Sequence, residues 1–139
     1  MEYAQIAKAI ATAAHFKQLR RDGVTPYIVH PEEVVRRIQK NKPGDVDDYV
    51  ISVAWLHDVL EDTRITADEL LRLGIPKTIV NAVVVLTKTG KDYNKYINDV
   101  KGDILARIVK IADMEANLAD DPTEQQIEKY TKALAFLKN

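Results

Sequence analysis

The sequence predicts an all-α protein, a single helical bundle of about eight helices. Two observations carry that reading. Apolar residues recur at helical spacing along nearly the whole chain, and continuous β-branched runs are confined to residues 79–86, where length and flanks still favour helix. A chain of 139 residues, 46% of them hydrophobic, suits one self-contained core, so residues 1–139 are read as one domain.

The elements follow in order. A first helix is expected over residues 3–20, and Asp22-Gly23 then opens a loop running through Pro26 to His30. Pro31 suits the first turn of a second helix that ends near Lys42-Pro43-Gly44. Asp45 is placed to cap a third helix through Trp55 to about Glu61. Thr66 and Glu69 form a capping-box pattern for a short fourth helix closed by Gly74 and Pro76. Residues 77–86, 92–100, 103–118 and 123–137 give the remaining four helices. The longest connection joins Arg20 to His30, and loops held by a rigid scaffold are where function tends to sit.

Composition narrows the function classes. The 20 basic residues nearly cancel the 21 acidic ones, so no global field points to nucleic acid or to a membrane surface. The absence of cysteine excludes a disulfide framework and a thiolate metal site. Residues 1–14 lack the basic start and apolar run of a signal peptide, and no stretch approaches the ~20 apolar residues of a membrane span. A cytoplasmic protein is expected, and its oligomeric state stays open.

The third helix carries the strongest chemical signal. Its apolar stripe of Val46, Val50, Val53, Trp55 and Leu56 runs into His57-Asp58 and then Glu61-Asp62. Carboxylates at a helix C-terminus are disfavoured by about 0.3–1 kcal/mol each, so a compensating positive charge is expected nearby. A divalent cation would provide it. Alone, the His-Asp pair proves little and is better read as a hydrogen-bonded core histidine followed by a solvated helix end. The seventh helix sharpens the question, because Asp113 interrupts the apolar run of Ile108, Val109, Ile111 and Ala112. A carboxylate there needs a partner, which Lys110 at i−3 could supply as a purely structural salt bridge.

Taken as an ordered set, these fragments resemble the HD-domain superfamily of metal-dependent phosphohydrolases. They are most similar to the hydrolase domain of the Rel/SpoT alarmone enzymes and their small single-domain relatives. The resemblance rests on Ala14-His15 with Gln18 and Arg20-Arg21-Asp22-Gly23, then on Pro26 through Pro31 and Leu56 through Thr63. It closes with Leu86-Thr87-Lys88 and Lys110 through Asn117. It implies an HD-domain bundle in which His30, His57, Asp58 and Asp113 coordinate one divalent metal, typically Mn²⁺. The same N/O ligand set accepts Fe²⁺, Co²⁺ or Zn²⁺. Such a metal lowers the pKa of a bound water and polarises a phosphoryl oxygen. The resemblance also implies that Glu61 and Asp62 are the catalytic acidic pair, suited to orienting that water and moving its proton.

For a small-molecule nucleotide substrate, the resemblance implies Arg20 against the base, Arg21 and Asp22 lining the same loop, and Asn117 facing the sugar. A planar, weakly hydrated guanidinium suits stacking. Lys88, Lys91 and Lys110 are candidates for steadying phosphates, although exposed lysines are common. His15 is expected to hydrogen-bond rather than ligate, and Tyr93 and Tyr96 either face the pocket or belong to the core.

The chain departs from the alarmone hydrolases at Met114-Glu115-Ala116, where a basic residue usually follows the aspartate, and the loop before Pro26 carries one extra residue, Val24 or Thr25. No synthetase segment is expected, so the reading expects hydrolysis without synthesis. The leading expectation is removal of the 3′-pyrophosphate from guanosine tetra- or pentaphosphate. The alternatives are a phosphatase acting on another nucleotide such as NADPH, and a nucleotide-binding module without turnover.

Overall fold

The third helix of the sequence reading becomes the central post of the bundle, and it is broken where the chemistry begins. The computed structural model describes residues 2–41 and 47–139. Among these, helix α3 (Asp48–Leu56) is buried on every side from Val50 to Leu56. A helix apolar all round belongs in an interior. Around it stand α1 (Glu2–Ala14), α2 (Val29–Asn41), α6 (Lys77–Val85) and α8 (Ile104–Leu118). After Leu56 the regular helix is interrupted at His57-Asp58, whose backbone stays in the right-handed region with Asp58 loosened to φ −105° and ψ 0°, and it resumes as the single turn α4 (Val59–Asp62). The split makes nine helical segments among the described residues of what the periodicity read as eight.

The polar residues that start the helices do so largely as the sequence predicts. Thr66 and Glu69 form a reciprocal capping box on α5 (Ala67–Arg72), and Gly74, with φ of 94°, reverses the chain after it. Asp92 caps α7 (Tyr93–Lys101), Asp103 caps α8, and Thr123 with Gln126 forms a second capping box on α9 (Glu124–Lys138). The expected stop at Lys42-Pro43-Gly44, the cap at Asp45 and the stripe position Val46 lie outside the described residues. Asp47 caps α3 through the backbone N–H of Tyr49. Its neighbour Asp48 accepts from the backbone N–H groups of Tyr3 and Ala4 at 2.9 and 3.0 Å, so a carboxylate on α3 satisfies the free end of α1.

Helix α1 ends earlier than the expected residue 20, for a local reason. His15 and Gln18 bond to each other through their side chains, Nδ1 to Oε1 at 2.8 Å, and Lys17 adopts φ of 70°, a left-handed geometry that a helix cannot continue through. The chain then folds back on itself. Leu19 bridges Pro26, with Arg20 N–H donating to the Thr25 carbonyl and Tyr27 N–H to that of Gln18, each at 2.8 Å. This small closed loop delivers the chain to α2, whose first turn holds His30 and Pro31.

One continuous core joins these elements. Leu56, Leu70, Ile79, Met114 and Leu137 are among its fully buried side chains, each stabilising by about 1.5–3 kcal/mol relative to exposure. No helix is long and apolar enough to cross a membrane among the described residues.

Candidate active site

Four polar side chains, His30, Ser52, His57 and Asp113, are buried along α2, α8 and the post of the bundle, and three of them meet. His30 arrives from the first turn of α2, His57 from the break after α3, and Asp113 from the middle of α8. Their ligand atoms lie within 4.8 Å of one another. His30 Nε2 sits 2.7 Å from Asp113 Oδ1, and His57 Nε2 lies 3.5 Å from the same oxygen. Asp58 adjoins both imidazoles from the other side, with its Oδ2 3.0 Å from His57 Nε2 and 3.9 Å from His30 Nε2. It stands outside the tightest trio, and its Oδ2 also accepts a short hydrogen bond from the Tyr27 hydroxyl.

The arrangement fits a divalent cation. His57 Nδ1 bonds to the Ala54 carbonyl at 2.7 Å, which places the proton on Nδ1 and leaves Nε2 as a free donor pair. Nε2 is buried and has no hydrogen-bond partner, although two carboxylate oxygens lie close by. A buried polar atom left unmatched needs a reason, and a cation that two imidazoles and two carboxylates can share supplies one. Lys110 is drawn into the same network by its 3.0 Å ion pair with Asp113 Oδ2. The salt bridge considered as an alternative is thus present, but it uses one carboxylate oxygen and leaves the other facing the imidazoles. Burial would push the Asp113 carboxyl up, yet Lys110 and the two histidines hold it well below the usual carboxylate range.

Glu61 and Asp62 lie in the turn that follows, at the rim of the cluster. Glu61 Oε1 accepts from the backbone N–H of Lys88 at 2.7 Å, which explains how the 86–88 segment enters the site. Asp62 is held from behind. Gln18 Nε2 donates to its carbonyl at 2.8 Å, and the Tyr27 hydroxyl lies 3.4 Å from its Oδ2. Burial and then the charges of Asp58 and Glu61 raise the Asp62 carboxyl, the direction a proton-transfer group needs at neutral pH.

Three of the four expected nucleotide residues, Arg20, Arg21 and Asn117, share one open cleft of about 330 Å³ with His30, Asp58 and Asp113. Arg20, Arg21, Tyr27, His30, Asp58, Glu61, Asp62, Asp113 and Asn117 all line it. Within it they behave differently. Asn117 donates to Asp113 Oδ1 at 3.2 Å, so it touches the metal cluster as well as the cleft. Arg20 pairs with Asp120 at 3.0 Å, which holds its guanidinium at the wall. Arg21 reaches the carbonyls of Asp120 and Asp121 and the side chain of Gln126, clamping the α8–α9 turn. Asp22 lines a neighbouring hollow with Arg20 and His30, and its carboxylate is occupied in closing the loop on Val24 and Thr25.

Two residues belong here that sequence reasoning left without a role. Tyr27 bridges Asp58 and Asp62, and its ring packs between those of His15 and His30 at 4.8 and 6.0 Å. The only signal for it was its place in the Pro26-to-Pro31 fragment. Tyr130, on α9, also lines the cleft, and a tyrosine on an amphipathic helix looks like packing. His15 is buried and hydrogen-bonded, as expected. Tyr96 is a core residue bonded to the Leu86 carbonyl, while Tyr93 is half-buried beside the site. The departures at 114–116 serve packing: Met114 is fully buried, Glu115 pairs with Lys138 on α9, and Ala116 lines the hollow next to Arg20.

The bundle and its buried His-His-Asp cluster define the class, a hydrolase of the HD type. No family model matches the chain. Curated relatives do. The chain is 35% identical to the mouse guanosine-3′,5′-bis(diphosphate) 3′-pyrophosphohydrolase MESH1 over 93% of its own length and 80% of that protein. It is 36% identical to the human counterpart over 86% and 70% respectively. It is also 30% identical to the bifunctional (p)ppGpp synthase/hydrolase SpoT of Escherichia coli, covering 81% of this chain but 17% of that one. The chain belongs to the family of guanosine-3′,5′-bis(diphosphate) 3′-pyrophosphohydrolases of the HD type. In fold it superposes on a solved metazoan ortholog of SpoT with a TM-score of 0.78, at 23% identity, over 99% of this chain and 85% of that one.

Proposed function

We propose that residues 1–139 form one hydrolase domain that removes the 3′-pyrophosphate of guanosine tetra- or pentaphosphate, giving GDP or GTP and pyrophosphate. The observation that carries the reading is the convergence of His30, His57 and Asp113, flanked by Asp58, with His30, Asp58 and Asp113 lining the same cleft as Glu61 and Asp62. His30, His57, Asp58 and Asp113 are proposed as the ligands, with Mn²⁺ as the resident ion. When bound, a divalent cation supplies Lewis acidity and makes hydroxide available near neutral pH.

The chain's own residues do the rest. Asp62, with its raised proton affinity, takes the proton of the attacking water, and Glu61, fixed by the Lys88 N–H, orients that water. A new oxygen–phosphorus bond forms as the bond from phosphorus to the ribose 3′-oxygen breaks, and the 3′-oxygen recovers a proton from the protonated carboxylic acid. Tyr27 holds Asp58 and Asp62 in fixed relation while this happens. Arg20 stands at the wall where a base can stack, and Asn117 is placed for the sugar. Arg21 and Asp22 contribute by holding the loop that presents Arg20.

The test is a panel of guanosine tetraphosphate, NADPH and nucleoside triphosphates incubated with the Mn²⁺-loaded protein, with products separated by ion exchange. GDP and pyrophosphate from the first, with the others intact, is the expected result. Turnover of NADPH alone would keep the HD chemistry and replace the substrate, and binding with no product would reduce the chain to a nucleotide-binding module.

A further inference from the structure

Beside the cleft that Arg20 lines, a separate recess of about 170 Å³ opens off the site. His57, Asp58 and Glu61 line it together with Lys88, Lys129 and Tyr93. The two carboxylates alone would repel a polyanion, and the two lysines offset them. Lys110 lines the recess too, but its charge is committed to Asp113.

Lys88 and Lys129 differ from the lysines around them. Lys91 and Lys95 both reach Asp99, Lys132 reaches Glu128, and Lys138 reaches Glu115. Among the described residues, neither Lys88 nor Lys129 has a carboxylate within 4 Å. Lys88 is fastened beside the acidic pair by its own backbone N–H on Glu61. The ammonium of Lys129 sits 4.2 Å from the ring centre of Tyr93. Partial burial, followed by the charges of Lys88 and Lys110, pulls the Lys129 ammonium below the ordinary lysine range, so the cations feel one another. Tyr93 adds an independent sign. Its hydroxyl is buried and has no hydrogen-bond partner, an O–H donor at the edge of the recess with nothing to donate to.

We infer that this recess, built by Lys88, Lys129 and the Tyr93 hydroxyl, is the receptor for the departing pyrophosphate, binding its phosphate remote from the ribose. The inference rests on the proposed 3′-pyrophosphohydrolase reading and adds to it the groups that hold the pyrophosphoryl group as it passes from the 3′-oxygen to water. Two uncommitted cations and a neutral donor match a diphosphate, which is multiply anionic both as the 3′-ester and as the free product. The recess lies against Glu61 and Asp58, so a diphosphate held there keeps its other phosphorus at the catalytic rim.

The test reads binding apart from turnover. Metal-loaded protein, desalted to remove free ion, is titrated calorimetrically with inorganic pyrophosphate and separately with orthophosphate. The wild type should bind pyrophosphate more tightly than orthophosphate. Lys88→Ala and Lys129→Ala should each weaken pyrophosphate about tenfold. Lys129→Arg should restore most of that loss, and Lys40→Ala, an exposed site on α2, should change nothing. Far-ultraviolet circular dichroism of each variant confirms the fold. Pyrophosphate affinity that is absent, indifferent to both lysines, or no better than that for orthophosphate overturns the inference. If guanosine tetraphosphate is hydrolysed while pyrophosphate binding ignores Lys88 and Lys129, the recess falls and the proposed function stands. Lysine-dependent pyrophosphate binding in a chain that leaves guanosine tetraphosphate intact upholds the receptor and removes the substrate.

Discussion

The buried cluster and the loop facing it are built on opposite principles. His30, His57 and Asp113 are each about 95% or more buried and come from helices packed through the core, so their positions are fixed by the whole fold. Arg20, Arg21 and Asp22 sit on a closed loop of residues 19–26 held by local bonds and by the α8–α9 turn. One region resists change because any error leaves an unmatched charge inside the protein. The other adjusts at little cost to the fold. On the proposed reading, chemistry and recognition therefore rest on separable parts of this molecule, and variants can pull them apart.

The sharpest break is Asp113→Ala. It removes a proposed ligand and strands the buried Lys110 ammonium, so metal binding and turnover should both vanish and stability should fall by about 3–5 kcal/mol. Calorimetric metal titration and a urea melt check the two losses, and retained metal affinity would take Asp113 out of the ligand set. Glu61→Gln should spare both metal and fold and lower the rate by about 10²–10⁴. A variant that kept wild-type kcat would leave Glu61 as no more than the acceptor for the Lys88 N–H.

The same division decides what could be read from the sequence. The helices were legible because capping residues and apolar spacing act locally: Thr66, Asp92, Asp103 and Thr123 start helices where the pattern places them. The break after Leu56 was not, since His57-Asp58 continues a helical pattern and the interruption is a small loosening at Asp58, φ −105° and ψ 0°, that leaves no mark in the residue types. In the cluster, Asp113 announced itself as a carboxylate within an apolar run. Tyr27 and Tyr130 did not, because an aromatic residue that closes a site has the same sequence signature as one that fills a core. On the loop, Arg20 and Arg21 are visible but their partners are about a hundred residues away. Nothing near Arg21 in the chain foretells that it grips the carbonyls at 120 and 121.

Smaller effects should follow on the recognition side. Arg20→Ala should raise KM about tenfold with a lesser change in kcat, the pattern of lost ground-state binding. An equal fall in kcat with KM unmoved would place Arg20 in the chemistry instead. Arg21→Ala should act mostly on stability, costing about 1–2 kcal/mol through three lost hydrogen bonds, read in a urea melt. If it left stability intact and raised KM as much as Arg20→Ala, Arg21 would be a substrate contact and not a clamp.

The smallest effect belongs to Asp22, and its pH dependence separates a closed loop from a loose one. The hydroxyl and backbone N–H of Thr25, with the N–H of Val24, lower its carboxyl from 3.8 to about 2. A carboxylate with a depressed folded pKa contributes stability that is complete above its unfolded value and is lost as pH falls through the folded one. The melting temperature of the wild type should therefore exceed that of Asp22→Ala slightly at pH 5–7, and the gap should close between about pH 4 and 2. A gap that held constant down to pH 2 would mean that loop closure owes nothing to the ionised carboxylate. Because the loop presents Arg20, the same variant should raise KM at neutral pH by less than Arg20→Ala does and leave metal affinity untouched. Loss of metal affinity on changing this exposed residue would show that loop and cluster are one cooperative unit after all.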